Sequence, residues 1–68
     1  MPKTEWIVET GDYRKKVSAY SAKLAAITAF KRKPPQSAGE LTRVESLHHG
    51  IYFYLDSRDL LKHAGYEV

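Results

Sequence analysis

Glu5-Trp6-Ile7-Val8-Glu9-Thr10-Gly11-Asp12-Tyr13-Arg14-Lys15-Lys16-Val17-Ser18-Ala19 is the stretch on which the fold turns. Residues 5–10 are rich in β-formers and alternate in polarity. Trp6, Val8 and Thr10 fall on one face, Glu5, Ile7 and Glu9 on the other. Gly11-Asp12 reads as a tight turn, with glycine supplying the positive φ such turns need. Residues 13–19 return as a second strand, with Tyr13, Lys15, Val17 and Ala19 on one face and Arg14, Lys16 and Ser18 on the other. A helix starting near Tyr13 is the competing reading. The Val17-Ser18 pair and the preceding Gly-Asp favour the hairpin.

Outward from the hairpin, Ser21 is placed to cap a helix over about 22–33, a segment rich in Ala and Leu and free of Gly and Pro. Lys31, Arg32 and Lys33 cluster in its last turn, where they complement the negative end of the helix dipole. Pro34-Pro35 stops it. At 100° per residue, Leu24, Ile27 and Phe30 make one apolar stripe and Ala22, Ala26 and Ala29 an adjoining one. So broad an arc needs either a second helix on the alanine stripe or a partner molecule.

The C-terminal half repeats the order. Gln36 to Gly39 is a loop, Leu41 to Leu47 alternates as a third strand, and His48-His49-Gly50 is a turn. Ile51 to Leu55 is the strongest strand pattern, with Ile51, Phe53 and Leu55 on one face and Tyr52 and Tyr54 on the other. Asp56 or Ser57 caps a short helix, Gly65 ends it, and Tyr66-Glu67-Val68 follows as a tail or short strand. The expected fold is therefore α+β, in the order β-β-α-β-β-α: a four-stranded antiparallel sheet of two hairpins with both helices on one face. Its core is expected from Trp6, Val8, Val17, Leu24, Ile27, Phe30, Val44, Ile51, Phe53, Leu55, Leu60 and Leu61.

Length and composition bound the function. A chain of 68 residues, 43% hydrophobic and 28% charged, is expected as one domain over 1–68, with a core that only just offsets chain entropy. No cysteine is present, which excludes disulfides, CxxC redox chemistry and thiolate zinc sites. No apolar run reaches the ~18 residues of a membrane span, and residues 1–6 lack a signal-peptide core, so cytoplasmic residence and no membrane partner are expected. His48, His49 and His63 belong to no nucleophile or metal-ligand signature, and the four glycines are isolated, so no phosphate loop exists. The expectation is a protein that is not an enzyme and takes no cofactor.

Charge is more informative when mapped than when summed. Within a net +3, the segment from Tyr13 to Gly39 carries seven basic residues and no acid, while the remainder holds four basic and eight acidic residues. Such separation can steer an acidic protein or a nucleic acid, although a solvated basic face accounts for the same run. Tyr52 and Tyr54 on an open sheet face, with basic side chains from a neighbouring strand, suit either base stacking or a protein hot spot, and high β propensity alone also explains them. The candidate binding residues are therefore Arg14, Lys16, Lys23, Lys31, Arg32, Lys33, Tyr52 and Tyr54. An acidic host protein or complex is the first partner class and nucleic acid the second. Self-association through the helix of residues 22–33 is the third.

The pattern Trp6-x-Val8, Val17-x-Ala19-x-Ser21, Ala25-Ala26, Phe30, Gly39-Glu40-Leu41-x-x-Val44 and Asp56-Ser57-x-x-Leu60-Leu61-x-x-Ala64-Gly65 resembles the small uncharacterised proteins common in bacteriophage genomes. In size and element order it is similar to some anti-CRISPR proteins acting on type I surveillance complexes. The resemblance is one of layout, and no functional residue is carried over from it. It implies a compact, cofactor-free protein that modulates another macromolecule by occupying its surface.

Overall fold

The computed structural model describes residues 2–67. Strands β1 (Thr4–Thr10) and β2 (Tyr13–Ala19) form the expected hairpin, paired from Thr4–Ala19 to Thr10–Tyr13 around Gly11-Asp12. Gly11 has φ 55°, and a Cβ placed there would collide with the Ser37 carbonyl oxygen, so the turn needs glycine for both conformation and space. Thr10 fastens the same corner: its hydroxyl accepts from the Gly39 N–H at 2.9 Å and donates to the Leu41 carbonyl at 3.3 Å.

Helix α1 (Ala22–Arg32) begins where Ser21 Oγ accepts the Leu24 N–H and ends at Lys33, before the two prolines. Strands β3 (Leu41–Ser46) and β4 (Tyr52–Asp56) make the second hairpin, and α2 (Ser57–His63) follows at once, capped by the Asp56 carboxylate on the Asp59 N–H. At its far end Tyr66 N–H reaches the Leu61 carbonyl and Gly65 N–H that of Lys62, with Gly65 at φ 99°: a Schellman stop at the expected glycine. Tyr66 and Glu67 add no strand, and Val68, expected in a tail or short strand, lies outside the described residues. None of the described helices is long and apolar enough to cross a membrane.

The sheet is antiparallel throughout, in the order β2-β1-β3-β4. The α+β architecture is the expected one. Trp6, Val8, Val17 and Val44 meet Ala25, Ala26, Ala29, Phe30 and Leu60 in one core, with Phe30 and Val8 fully buried. Each large side chain so buried contributes about 1.5–3 kcal/mol. The Trp6 indole N–H donates to the Ala19 carbonyl, and the buried Thr42 and Ser57 hydroxyls satisfy each other at 2.7 Å.

Three expected core residues are exposed instead. Leu24 lies outward because α1 lays its alanine side on the sheet, where small side chains permit close approach and Phe30 fills the remaining space. Ile51 and Phe53 are half exposed because α2, only seven residues long, packs chiefly on α1 and covers little of β4. Conversely Ile7, on the face away from the helices, is only 7% exposed. Its cross-strand partners are Lys16 and Glu45, whose aliphatic stems shelter it.

Candidate functional site

The face of the sheet opposite the helices is a charged weave with an aromatic border. On it β2 presents Arg14 and Lys16, β1 presents Glu5 and Glu9, β3 presents Arg43 and Glu45, and β4 presents Tyr52 and Tyr54. Lys16 Nζ lies 2.8 Å from Glu5 Oε2, and Arg14 Nε lies 3.8 Å from Glu9 Oε2. Arg43 bridges inward to Glu9 at 3.4 Å and Glu45 at 3.1 Å, while its guanidinium carbon sits 4.5 Å from the Tyr52 ring centroid. Loss of hydration works against the Arg43 charge. Glu45, through charge and hydrogen bond, outweighs it together with Tyr54 and Glu9, raising the pKa above that of a free guanidinium. Tyr52 and Tyr54 pack edge to face at 5.6 Å and stay 53% and 58% exposed.

The expected continuous patch of cations beside the two phenols does not form. The strand order puts β2 and β4 on opposite sides of the sheet, three spacings or about 14 Å apart, with the Glu5, Glu9 and Glu45 carboxylates between them. Lys23 points elsewhere, 3.8 Å from Asp59 of α2. The cations at the end of α1 instead join those of β2: Lys33 with Arg14 around one shallow depression, Arg32 with Lys16 around another. Lys31 precedes them in the last turn of α1 and is exposed. The basic neighbour of the tyrosines is Arg43, absent from the expected set. The turn expected at His48-His49-Gly50 would set residue 43 opposite residue 55; the observed loop is one residue longer, running from Leu47 to Gly50, and this register brings Arg43 opposite Tyr54.

Among the described residues, the two edges leave their backbone open in the same way. The Leu47 N–H bonds the Glu5 carbonyl, so Glu5, Ile7 and Glu9 face β3 and the alternate residues of β1 face β2. The outward backbone groups of β2 are therefore those of Arg14, Lys16 and Ser18. Likewise Ser46 N–H bonds Ile51 O and Ser57 N–H bonds Glu40 O, which turns the backbone of Tyr52 and Tyr54 outward on β4. Around those groups stand Ile51, Tyr52, Phe53 and Tyr54, each roughly half exposed. An open, apolar edge of this kind is a template for another strand.

The histidines do not build a second centre. His48 and His49 stack edge to face in the turn, and His63 Nδ1 lies 2.8 Å from the Asp59 carbonyl within α2. Among the described residues no three His, Asp or Glu side chains converge as a metal ion would require. No protein-family model, no curated protein and no solved structure matches this chain.

Proposed function

We propose that the chain is a non-catalytic binding module whose working surface is the β4 edge, where it accepts an extended protein segment as a further strand. The observation that carries this reading is the coincidence at one sheet edge of backbone groups with no partner among the described residues and of half-exposed Ile51, Tyr52, Phe53 and Tyr54. Main-chain hydrogen bonds would hold the added strand, and the side chains on the two faces of β4 would select its sequence. Tyrosine is favoured at such contacts because it presents a large amphipathic area with few rotatable bonds. Modulation by occupying a surface, in the host cytoplasm, is the style that the phage-type layout suggests. The basic rim of β2 and α1 would steer an acidic partner from a distance. With a Debye length near 8 Å, cations about 14 Å away are not part of the strand contact itself.

The test is a selection of short extended peptides against the chain at low micromolar concentration, followed by backbone amide exchange. Bound peptides should protect the Tyr52 and Tyr54 amides. Tyr54→Pro, which removes an outward N–H and no ladder bond, should weaken them at least tenfold. Protection confined to Arg14, Lys16 and Ser18 would overturn the reading. So would binding of single-stranded nucleic acid with a steep salt dependence and no peptide binding.

A further inference from the structure

We infer that the occupant of the β4 edge is a second copy of this chain, joined antiparallel about a twofold axis through Phe53 into a continuous eight-stranded sheet. The inference rests on the strand-accepting role of β4 and names its partner.

Geometry selects the register. The outward backbone groups belong to Tyr52 and Tyr54, so these two must form the hydrogen-bonded pairs of any added antiparallel strand. Centring the axis on Phe53 pairs Tyr52 with Tyr54 of the partner copy, and Tyr54 with its Tyr52. All outward groups of both tyrosines are then used at once. The four phenol rings form one stripe on the outer face, and the two Phe53 rings meet on the inner face that α2 leaves uncovered.

Charge favours a like partner on this edge. The only charged residue of β4 is Asp56, which comes opposite Gly50 of the partner copy, next to its two turn histidines. The basic rims are carried to the far ends of the joined sheet, about 34 Å apart and several Debye lengths from each other. On β2 the same pairing would set Arg14, Lys15 and Lys16 against their own copies, so that edge rejects it.

Area sets the strength. Three half-exposed aromatics offer roughly 100 Å² each, and Ile51 brings the patch to at most about 400 Å² per copy. Doubled, this stays under the ~1,000 Å² of a standing specific interface, so the dimer is a weak one that forms only at tens to hundreds of micromolar.

The experiment combines sedimentation with a single introduced cysteine, which the chain otherwise lacks. Across the axis the Phe53 Cα atoms fall about 4.5 Å apart, within disulfide reach, whereas those of Tyr54 fall about 8 Å apart, beyond it. The wild-type chain should shift from monomer to dimer over roughly 1–500 µM, and Tyr54→Lys should move that transition at least tenfold upward. Phe53→Cys should oxidise to a covalent dimer at least tenfold faster than Tyr54→Cys. A chain monomeric throughout, with neither cysteine cross-linking, overturns the inference, as does a dimer indifferent to Tyr54→Lys. If the monomer still protects its Tyr52 and Tyr54 amides with a selected peptide, the strand-accepting edge stands and only its occupant was misassigned. If no peptide protects them, both fall.

Discussion

Strands β2 and β4 close the sheet on its two sides, and each turns alternate backbone groups toward solvent, yet their side chains treat those groups in opposite ways. Arg14, Lys15, Lys16 and Ser18 surround the free groups of β2, and Arg32 and Lys33 reach over from the end of α1. Another strand cannot approach without desolvating that charge, which is how natural sheets protect an edge. On β4 the same positions hold Tyr52, Phe53 and Tyr54. A hydrogen-bonding edge is thus not in itself a binding site. The side chains beside it decide whether it repels or invites.

The largest expected effect concerns how firmly each edge is tied to the body of the protein. Gly11→Ala, at the turn leading into β2, meets both positive φ and the Ser37 carbonyl, and should lower stability by about 2–5 kcal/mol in urea denaturation. Gly50→Ala, at the turn leading into β4, keeps the conformational penalty (φ 68°) but meets open space, so about 1 kcal/mol is expected. Equal losses would mean that the β2 corner is less closely packed than it looks.

Next comes the anchor beneath β4. Thr42→Val removes the partner of the buried Ser57 hydroxyl at the start of α2, and should destabilise by about 1–3 kcal/mol in the same assay. Comparable in size is an exchange of edge character. Arg14→Tyr with Lys16→Tyr should make β2 adhesive, lowering by about tenfold the concentration at which light scattering detects association. If scattering does not change, charge is not what guards that edge.

The smallest effect tests the brace that only β2 possesses. The Tyr13 phenol donates to the Ala29 carbonyl at 2.9 Å and packs edge-on against Phe30, and β4 has no equivalent tie to α1. Burial, with a smaller contribution from Tyr66, raises the Tyr13 pKa above its ordinary value near 10. The neutral phenol is thereby favoured in the folded chain, so its contribution is complete below pH 10 and is lost as pH rises through the folded-state value. Tyr13→Phe should cost about 1 kcal/mol at neutral pH and make the alkaline decline shallower. An unchanged alkaline limb would assign that decline to other groups.

The candidate site was legible in parts. Tyr52 and Tyr54 share the outer face as alternation requires, and they are exposed. The cations expected beside them are mostly at the other edge, because a run of charge along the chain carries no information about which strands become neighbours. Arg43 was not recoverable from the expected three-residue turn, which sets it opposite Leu55; matching the inward Val44 to the inward Phe53 is the signal that brings Arg43 opposite Tyr54. The exposure of Phe53 was not legible either, since it depends on how far a short helix reaches over a strand. The stripe of Leu24, Ile27 and Phe30 and the stripe of alanines satisfy the helical period equally well. The observed interior takes from both: the close approach of α1 to the sheet turns Ala25, Ala26, Ala29 and Phe30 inward and leaves Leu24 outside.

The sequence by itself determined the six elements, their caps and turns, and the α+β class. These follow from interactions among residues a few positions apart: alternation, a serine before a helix, glycine at positive φ, proline after the last turn. The strand order, the identity of the two edges and the face that each cation occupies were decided only by tertiary structure. Pairing β1 with β3 joins segments more than thirty residues apart, through backbone groups that are the same at every position. Nothing local in the chain distinguishes that neighbour from another. The choice falls to the arrangement that buries Trp6, Val8 and Val44 together beneath one helix.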